Sequence, residues 1–393
     1  MSLQNASIKV TEFVITGFDT TKYPVQVGVF ILIVFIVAVL ANTLNIFIII
    51  YDKKLHKPMY LLICNLAVVD LLSTSSVSPT MIGVLVTGVK SISYVPCLIQ
   101  MFTFHLGQVM ETFALSVMAL DRLIAVSCPF QYHSYLTNPR IVVLTYILWI
   151  VACAFVSFYP ASVIPLRHCY SVLKYNFCSY AAVLRATCVD PNYYFNIVAT
   201  IIFFLSFSTF SFICLSYFGI IYFVKLSSNN DRMKIGSTCL SHLIVVTCYY
   251  VPIFVIALLT RLGVVLTLEE RNGLNIGSIL IPSLVNPFVY CLRTKEIKNG
   301  IINMFTKVAT SSGSAYAMFS PAVRHFGGRA GSCPPFWMPH QKHSPLALPG
   351  HTAPERLLPH HPTASTADPA LFPPTTALSD PLIYHPLALH CCQ

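Results

Sequence analysis

Charge is what this chain has least of. Only 10% of its 393 residues are Asp, Glu, Lys or Arg, against 55% hydrophobic. A water-soluble domain carries about 25% charged residues. So small a supply cannot coat a soluble surface, and lipid is the solvent implied. Tryptophan is scarce as well, at two residues. Few charges and few indoles argue against a nucleic-acid platform, despite a formal charge of +10. In a membrane chain such a basic excess sets orientation instead. A cleavable leader is lacking. Met1 to Tyr23 is mixed and polar, without a basic start and an apolar stretch, so the first apolar segment is expected to serve as targeting signal. Metal-ligand spacing is lacking too. The late histidines, including His360 and His361, follow no ligand pattern.

Present instead are seven apolar segments long enough to cross a bilayer, at 25–50, 60–86, 97–127, 141–164, 194–224, 238–260 and 272–292. The expected fold is all-α, a seven-transmembrane-helix bundle. Lys53, Lys54, His56 and Lys57 join the first two segments; Lys225, Arg232 and Lys234 join the fifth and sixth; Arg293, Lys295 and Lys298 follow the seventh. Lys90, Arg167, Lys174, Arg185 and Arg271 fall on the other side, so the first loop carries most of the orientation. The N-terminus is then outside. The chain divides into an extracellular N-terminus (1–23), the seven-helix membrane bundle (24–292), a short amphipathic juxtamembrane helix (293–307) and a Pro/His-rich cytoplasmic tail (308–393) that reads as disordered. Asn5-Ala6-Ser7 is a glycosylation sequon, useful if the N-terminus is outside. Cys391-Cys392 suits palmitoylation, although an extension without function is the plainer reading of the tail.

Several polar groups interrupt the apolar segments. Asp70 and Glu111 are carboxylates inside the second and third. Intramembrane carboxylates are expensive and functional by default. Facing each other, they would take a monovalent cation between them, or share a proton. Asn42 and Asn286 suit the same layer. Asp121-Arg122 closes the third segment, about one bilayer core from Cys97. It reads either as a plain interfacial ion pair or as a charged switch. Pro252, Pro282 and Pro287 permit kinks in the last two segments. Cys97, Cys169, Cys178 and Cys188 all fall on the outer side, and four cysteines allow three pairings.

The motifs in order identify a resemblance. Phe13-Val14-Ile15-Thr16-Gly17-Phe18, Leu55-His56-Lys57-Pro58-Met59-Tyr60, Met118-Ala119-Leu120-Asp121-Arg122 through Pro129, Ser216-Tyr217, Lys234 through Leu243 and Pro282 through Tyr290 are similar to the signatures of odorant receptors. These are rhodopsin-like G-protein-coupled receptors, and the resemblance covers residues 8–305. It implies disulfides Cys97–Cys178 and Cys169–Cys188, and a sodium ion as allosteric ligand at Asp70 and Glu111. It implies an activation switch of Asp121, Arg122, Tyr217, His242, Asn286, Pro287 and Tyr290. Leu123 after Asp-Arg, Leu120, Val126-Ser127 and Ala41 depart from the family pattern and resemble a divergent, fish-type receptor. The tail departs too, since such receptors stop soon after the amphipathic segment.

The third segment resembles receptors for water-soluble odorants, with His105 and Gln108 facing the pocket. His105 reads equally as a core histidine. Arg261 matches an arginine that anchors carboxylate odorants in some relatives, although snorkelling toward headgroups explains it too. Ala181, where acid-binding relatives offer an amide, weakens the carboxylate reading. Tyr249, Tyr250, Phe254 and Ala257 read as apolar walls, and equally as helix-packing residues. The expected partners are an odorant, a cyclase-stimulating heterotrimeric G protein, the bilayer and a trafficking chaperone, in the plasma membrane of olfactory cilia. A non-olfactory chemosensory receptor of the same fold is the runner-up. A transporter would show inverted repeats, and an intramembrane hydrolase a nucleophile–base set. Neither pattern stands out, so no enzyme is expected.

Overall fold

The computed structural model describes residues 8–226, 229–262, 264, 266–293, 297–302 and 306, with the side chains of 226, 229–235, 237–238, 257, 260–261 and 292–293 left out. The glycosylation site Asn5 and the tail from 308 lie outside the described residues.

Long apolar runs become long helices because hydrocarbon leaves backbone groups no partner but each other. Helix α1 spans Pro24–Tyr51, α2 Pro58–Ile82 and α3 Tyr94–Ser127. After the short α4 (Tyr132–Tyr135) come α5 (Asn138–Val156) and its continuation α6 (Phe158–Val163). A loop helix α7 (Tyr180–Arg185) precedes α8 (Asn192–Leu226), α9 (Asn229–Arg261) and α10 (Leu268–Arg293). Prolines open α1, α2 and α5, where a missing N–H costs nothing. A capping box opens α10: Thr267 Oγ1 accepts from the Glu270 N–H, and the Glu270 carboxylate accepts from the Thr267 N–H at 2.9 Å.

Among the described residues, six helices are long and apolar enough to cross a membrane by composition alone. The seventh member of the bundle is α3, 34 residues long, whose Gln100, His105, Gln108, Glu111, Asp121 and Arg122 dilute its apolarity. It packs against α2, α5, α8 and α9 at the centre of the bundle. Side chains on the outer faces, such as Phe204 and Phe218 of α8, are two-thirds exposed and meet lipid. The bundle is therefore inside-out only on its rim. Its interior holds a conventional core, with Leu62, Leu66, Leu115 and Tyr249 buried together. Residues 297–302 form a helical turn beyond α10, and Ile297 is fully buried in that core.

One end of the bundle carries a small sheet that an all-α reading does not anticipate. Strand β1 (Glu12–Ile15) lies between β2 (Ser91–Ser93), antiparallel, and β3 (Val172–Leu173), parallel. Phe13 and Ile15 point inward and are buried. Gly17 follows because the chain passes so close to the next loop that a β-carbon there would lie 2.3 Å from the Tyr175 carbonyl carbon.

Candidate functional site

At the sheet end, the loop between α6 and α8 is tied down covalently. Cys97 at the head of α3 bonds to Cys178, with α-carbons 5.3 Å apart. Cys169 bonds to Cys188, closing a shorter loop, with α-carbons 5.0 Å apart. Polar contacts add to this. Gln100, buried one turn below Cys97, accepts from the Cys178 N–H at 2.9 Å. Its amide nitrogen donates to the Ser76 carbonyl and to Thr80 Oγ1, both at 2.7 Å. One side chain thus joins α2, α3 and the loop. Arg271 lies 5.2 Å over the Tyr175 ring and donates to the Lys174 carbonyl, holding the loop to α10. Asn272 beside it donates to the Gly17 carbonyl at 2.6 Å.

The middle of the bundle holds a buried polar layer. Asn286 donates to both carboxylate oxygens of Asp70 at 3.1 Å. Asn42 donates to the Ser283 carbonyl at 2.9 Å, and Asn45 to the Pro287 carbonyl at 3.4 Å, so α1 grips α10 beside its two prolines. Asp70 and Ser73 share a face of α2; Gly107 and Glu111 share a face of α3. Three oxygens in this layer are sealed without a donor: Glu111 Oε1, Ser73 Oγ and Asn286 Oδ1. Among the described residues, no group of three or more His, Cys, Asp or Glu converges on a common point.

The end opposite the sheet holds two linked devices. In the first, Arg122 pairs with the buried Asp121. The other Asp121 oxygen accepts from the Tyr132 hydroxyl at 2.7 Å. Burial, and then the nearby Asp121 carboxylate, push the Tyr132 phenol above its usual range, which keeps it a donor. In the second, His242 of α9 lies 3.1 Å by its Nε2 from the Leu115 carbonyl of α3, and 2.9 Å by its Nδ1 from the Tyr217 hydroxyl of α8. A carbonyl can only accept, so Nε2 carries the proton and Nδ1 accepts. The single Tyr217 proton then lies between Nδ1 and the Cys239 carbonyl, 3.0 Å away. Tyr290 contacts the Met118 sulfur at 3.8 Å, which brings α10 against α3. The switch residues expected from sequence are therefore spread out: the Asp121–Arg122 pair, the Tyr217–His242 contact and Tyr290 lie at this end, whereas Asn286 and Pro287 take part in the polar layer.

The ligand residues expected from sequence also fall into two groups. His105 stacks on Tyr159 at 4.3 Å, with its Nε2 sealed and unpartnered. Tyr250 is buried, its hydroxyl 2.9 Å from Thr209 Oγ1, and Phe254 meets Phe210 edge-on at 5.0 Å. Tyr249 bridges the groups by donating to the Gln108 carbonyl at 2.9 Å. Ala257 and Arg261 belong to α9, but their side chains lie outside those described. Several residues of these networks escape sequence reasoning: Gly107, Ser73, Gln100, Tyr132 and Thr209. Gly107 carried a signal, as a glycine inside a helix near a carboxylate. The others are ordinary residue types whose partners are 11 to 78 residues away.

The sequence pattern of the olfactory receptor family matches residues 31–308. The chain is 34% identical over 303 residues to human Olfactory receptor 13G1, covering 75% of this chain and 97% of the relative. It is 31% identical over 298 residues to human Olfactory receptor 51E2 (75% and 92%), and 32% identical over 318 residues to mouse Olfactory receptor 7D11 (79% and 94%). With a central α3 bearing Asp-Arg, a disulfide-tied loop at one end and prolines inside α9 and α10, this multi-pass membrane chain belongs to the olfactory receptor family of rhodopsin-like G-protein-coupled receptors.

Proposed function

We propose that this protein binds a small odorant from outside the cell and passes the event to a cyclase-stimulating heterotrimeric G protein. The observation that supports this most directly is the contact of His242 with both Tyr217 and the Leu115 carbonyl. It ties α8, α9 and α3 together at the end where the Asp121–Arg122 pair lies. A bundle closed there by a few hydrogen bonds is a two-state element, and a ligand favouring the other state shifts its population. Arg122 is then freed to meet the G protein.

The polar layer fits a sodium ion as allosteric ligand. Glu111 Oε1, Ser73 Oγ and Asn286 Oδ1 are acceptors without donors, beside the Asp70 carboxylate. Hard cations take such all-oxygen sets. In this reading Asp70 and Glu111 hold the ion, which offsets their repulsion and stiffens the closed state. The odorant lies among α3, α8, α9 and α10, against His105, Gln108, Tyr250, Phe254, Ala257 and Arg261. The His105 imidazole orients it, and the Arg261 guanidinium anchors a carboxylate where the odorant carries one. The site of action is the plasma membrane of olfactory cilia, N-terminus outside, reached with a trafficking chaperone.

A cyclic-AMP assay with surface staining tests the proposal. Cells expressing the chain are exposed to water-soluble odorants, short acids included, beside Arg122→Ala and Arg261→Ala. A response abolished in Arg122→Ala at equal surface level supports signalling. A response kept in Arg261→Ala removes the carboxylate anchor and leaves the receptor. No response to any odorant at good surface level counts against the proposal.

A further inference from the structure

At the sheet end, one aromatic ring takes two cations. The Arg185 guanidinium, at the end of α7, lies 5.8 Å from the centre of the Tyr175 ring and 5.3 Å from that of Phe195 in α8. The Arg271 guanidinium, in the first turn of α10, lies 5.2 Å from the same Tyr175 ring. Cation–π attraction holds both in place. It also sets like charge against like charge at a range on the order of the Debye length, about 8 Å in physiological salt. Lys174, next in the chain to Tyr175, is exposed and adds a third positive charge.

No counter-charge answers them. Among the described residues the ion pairs are Lys90–Asp19 and Arg122–Asp121, so neither arginine meets a described carboxylate. The acids nearest in the chain are placed elsewhere. The Glu270 carboxylate accepts from the Thr267 N–H and hydroxyl, and Asp190 accepts from the Asn192 N–H. Glu269 is exposed and pairs with neither arginine. Donors are also left over. Arg271 gives one N–H to the Lys174 carbonyl at 3.2 Å, of the five that a guanidinium carries. Arg185 and the Tyr175 hydroxyl give none to a described residue. Cations without an anion and donors without an acceptor select a small anion, and the planar guanidinium fork matches a carboxylate. We propose that Arg185, Arg271 and the Tyr175 hydroxyl form a binding site for a small carboxylate at the sheet end. The bound anion bridges α7 and α10 across the loop, and so clamps the loop that the Cys97–Cys178 bond ties to α3.

The test uses the purified full chain in phosphatidylcholine nanodiscs, with sodium chloride replaced stepwise by sodium acetate at constant ionic strength. Hydrogen exchange is read by mass spectrometry at residues 171–190 and 267–275. Exchange there is expected to slow and saturate as acetate rises, with α1 and α2 unaltered. Arg185→Gln and Arg271→Gln should each raise the half-saturating acetate concentration roughly tenfold, the loss of one charged hydrogen bond. Arg261→Ala should leave the effect intact. No change on replacing chloride by acetate, a change without saturation, or one that survives both variants would overturn the site. Loss of the effect in Arg261→Ala would do so too, because it assigns the acetate to that arginine. If Arg271→Gln misfolds, the exposed Arg185 decides alone.

Discussion

A β-carbon on Gly107 would lie 2.0 Å from the Ser73 hydroxyl oxygen and 3.1 Å from the Ser73 β-carbon. Nothing larger than hydrogen fits between α2 and α3 at this level, one turn from Glu111. Gly107→Ala is therefore an overpacking change in the polar layer. Rotation of the Ser73 side chain relieves the nearer contact but not the contact with its β-carbon. The expected cost is about 1–3 kcal/mol, read as a lower melting temperature and reduced surface expression. Adding Ser73→Ala removes the oxygen and should recover part of the loss. A double variant no better than Gly107→Ala alone would show that the clash is with the Ser73 β-carbon and the backbone of α2 rather than with the hydroxyl.

Gln100 gives a second prediction. Replacing it by Leu leaves the Cys178 N–H without its acceptor in a buried position. An unmade buried hydrogen bond costs about 1–3 kcal/mol. Gln100→Glu keeps an acceptor for Cys178 but loses the donors to Ser76 and Thr80. The melting temperature should fall in both, and hydrogen exchange should rise at residues 176–180 in Gln100→Leu above all. Unchanged exchange there would mean that the disulfide alone fixes the loop.

The contrast between these two residues shows what the sequence discloses. The spans were legible because hydrocarbon forces apolar runs into helices, and α1, α2 and α8 begin and end within a few residues of their apolar segments. The sheet was not. Strand β1 is four residues long, and its partners lie about 80 and 160 positions away, so no local pattern announces it. Asp70 and Glu111 stand out as costly charges, but nothing local says that Asn286 donates to Asp70 or that Ser73 lies against Gly107. Pairings made by tertiary approach leave ordinary serines, glutamines and tyrosines in the chain. Arg261 shows the opposite limit: its residue type suggests a role that needs its side chain's position to argue.

His168 is expected to make the sheet end sensitive to acid. Its ring meets Phe13 at 5.7 Å and Tyr94 at 5.6 Å, both edge-on, and its Nε2 is sealed without a partner. Burial pushes its pKa below the ordinary 6.5. The unfolded or detached histidine keeps the ordinary value, so it binds a proton first as pH falls. Stability at this contact is then full above about pH 6.5 and declines below it, toward the lowered folded value. Corrected for the intrinsic exchange rate, the protection of residues 8–15 should fall as the pH drops below about 6.5, and His168→Phe, which keeps the packing and loses the titration, should flatten the profile. An identical acid response in the variant would assign it to another group.

The contact between Tyr217 and His242 sets the basal state if the bundle signals as proposed. Each hydrogen bond contributes about 0.5–1.5 kcal/mol net, which is roughly a two- to tenfold change in a two-state equilibrium. Tyr217→Phe keeps the ring, stacked 5.9 Å from His242, and removes the hydroxyl whose single proton lies between His242 and the Cys239 carbonyl. His242→Phe removes that bond and the contact with the Leu115 carbonyl. Basal cyclic AMP, normalised to surface level, should therefore rise in Tyr217→Phe and rise further in His242→Phe. Adding Arg122→Ala should return either variant to background, because the freed arginine carries the output. A basal signal that falls in His242→Phe would mean instead that this contact supports the active arrangement, and the direction of the switch would be reversed.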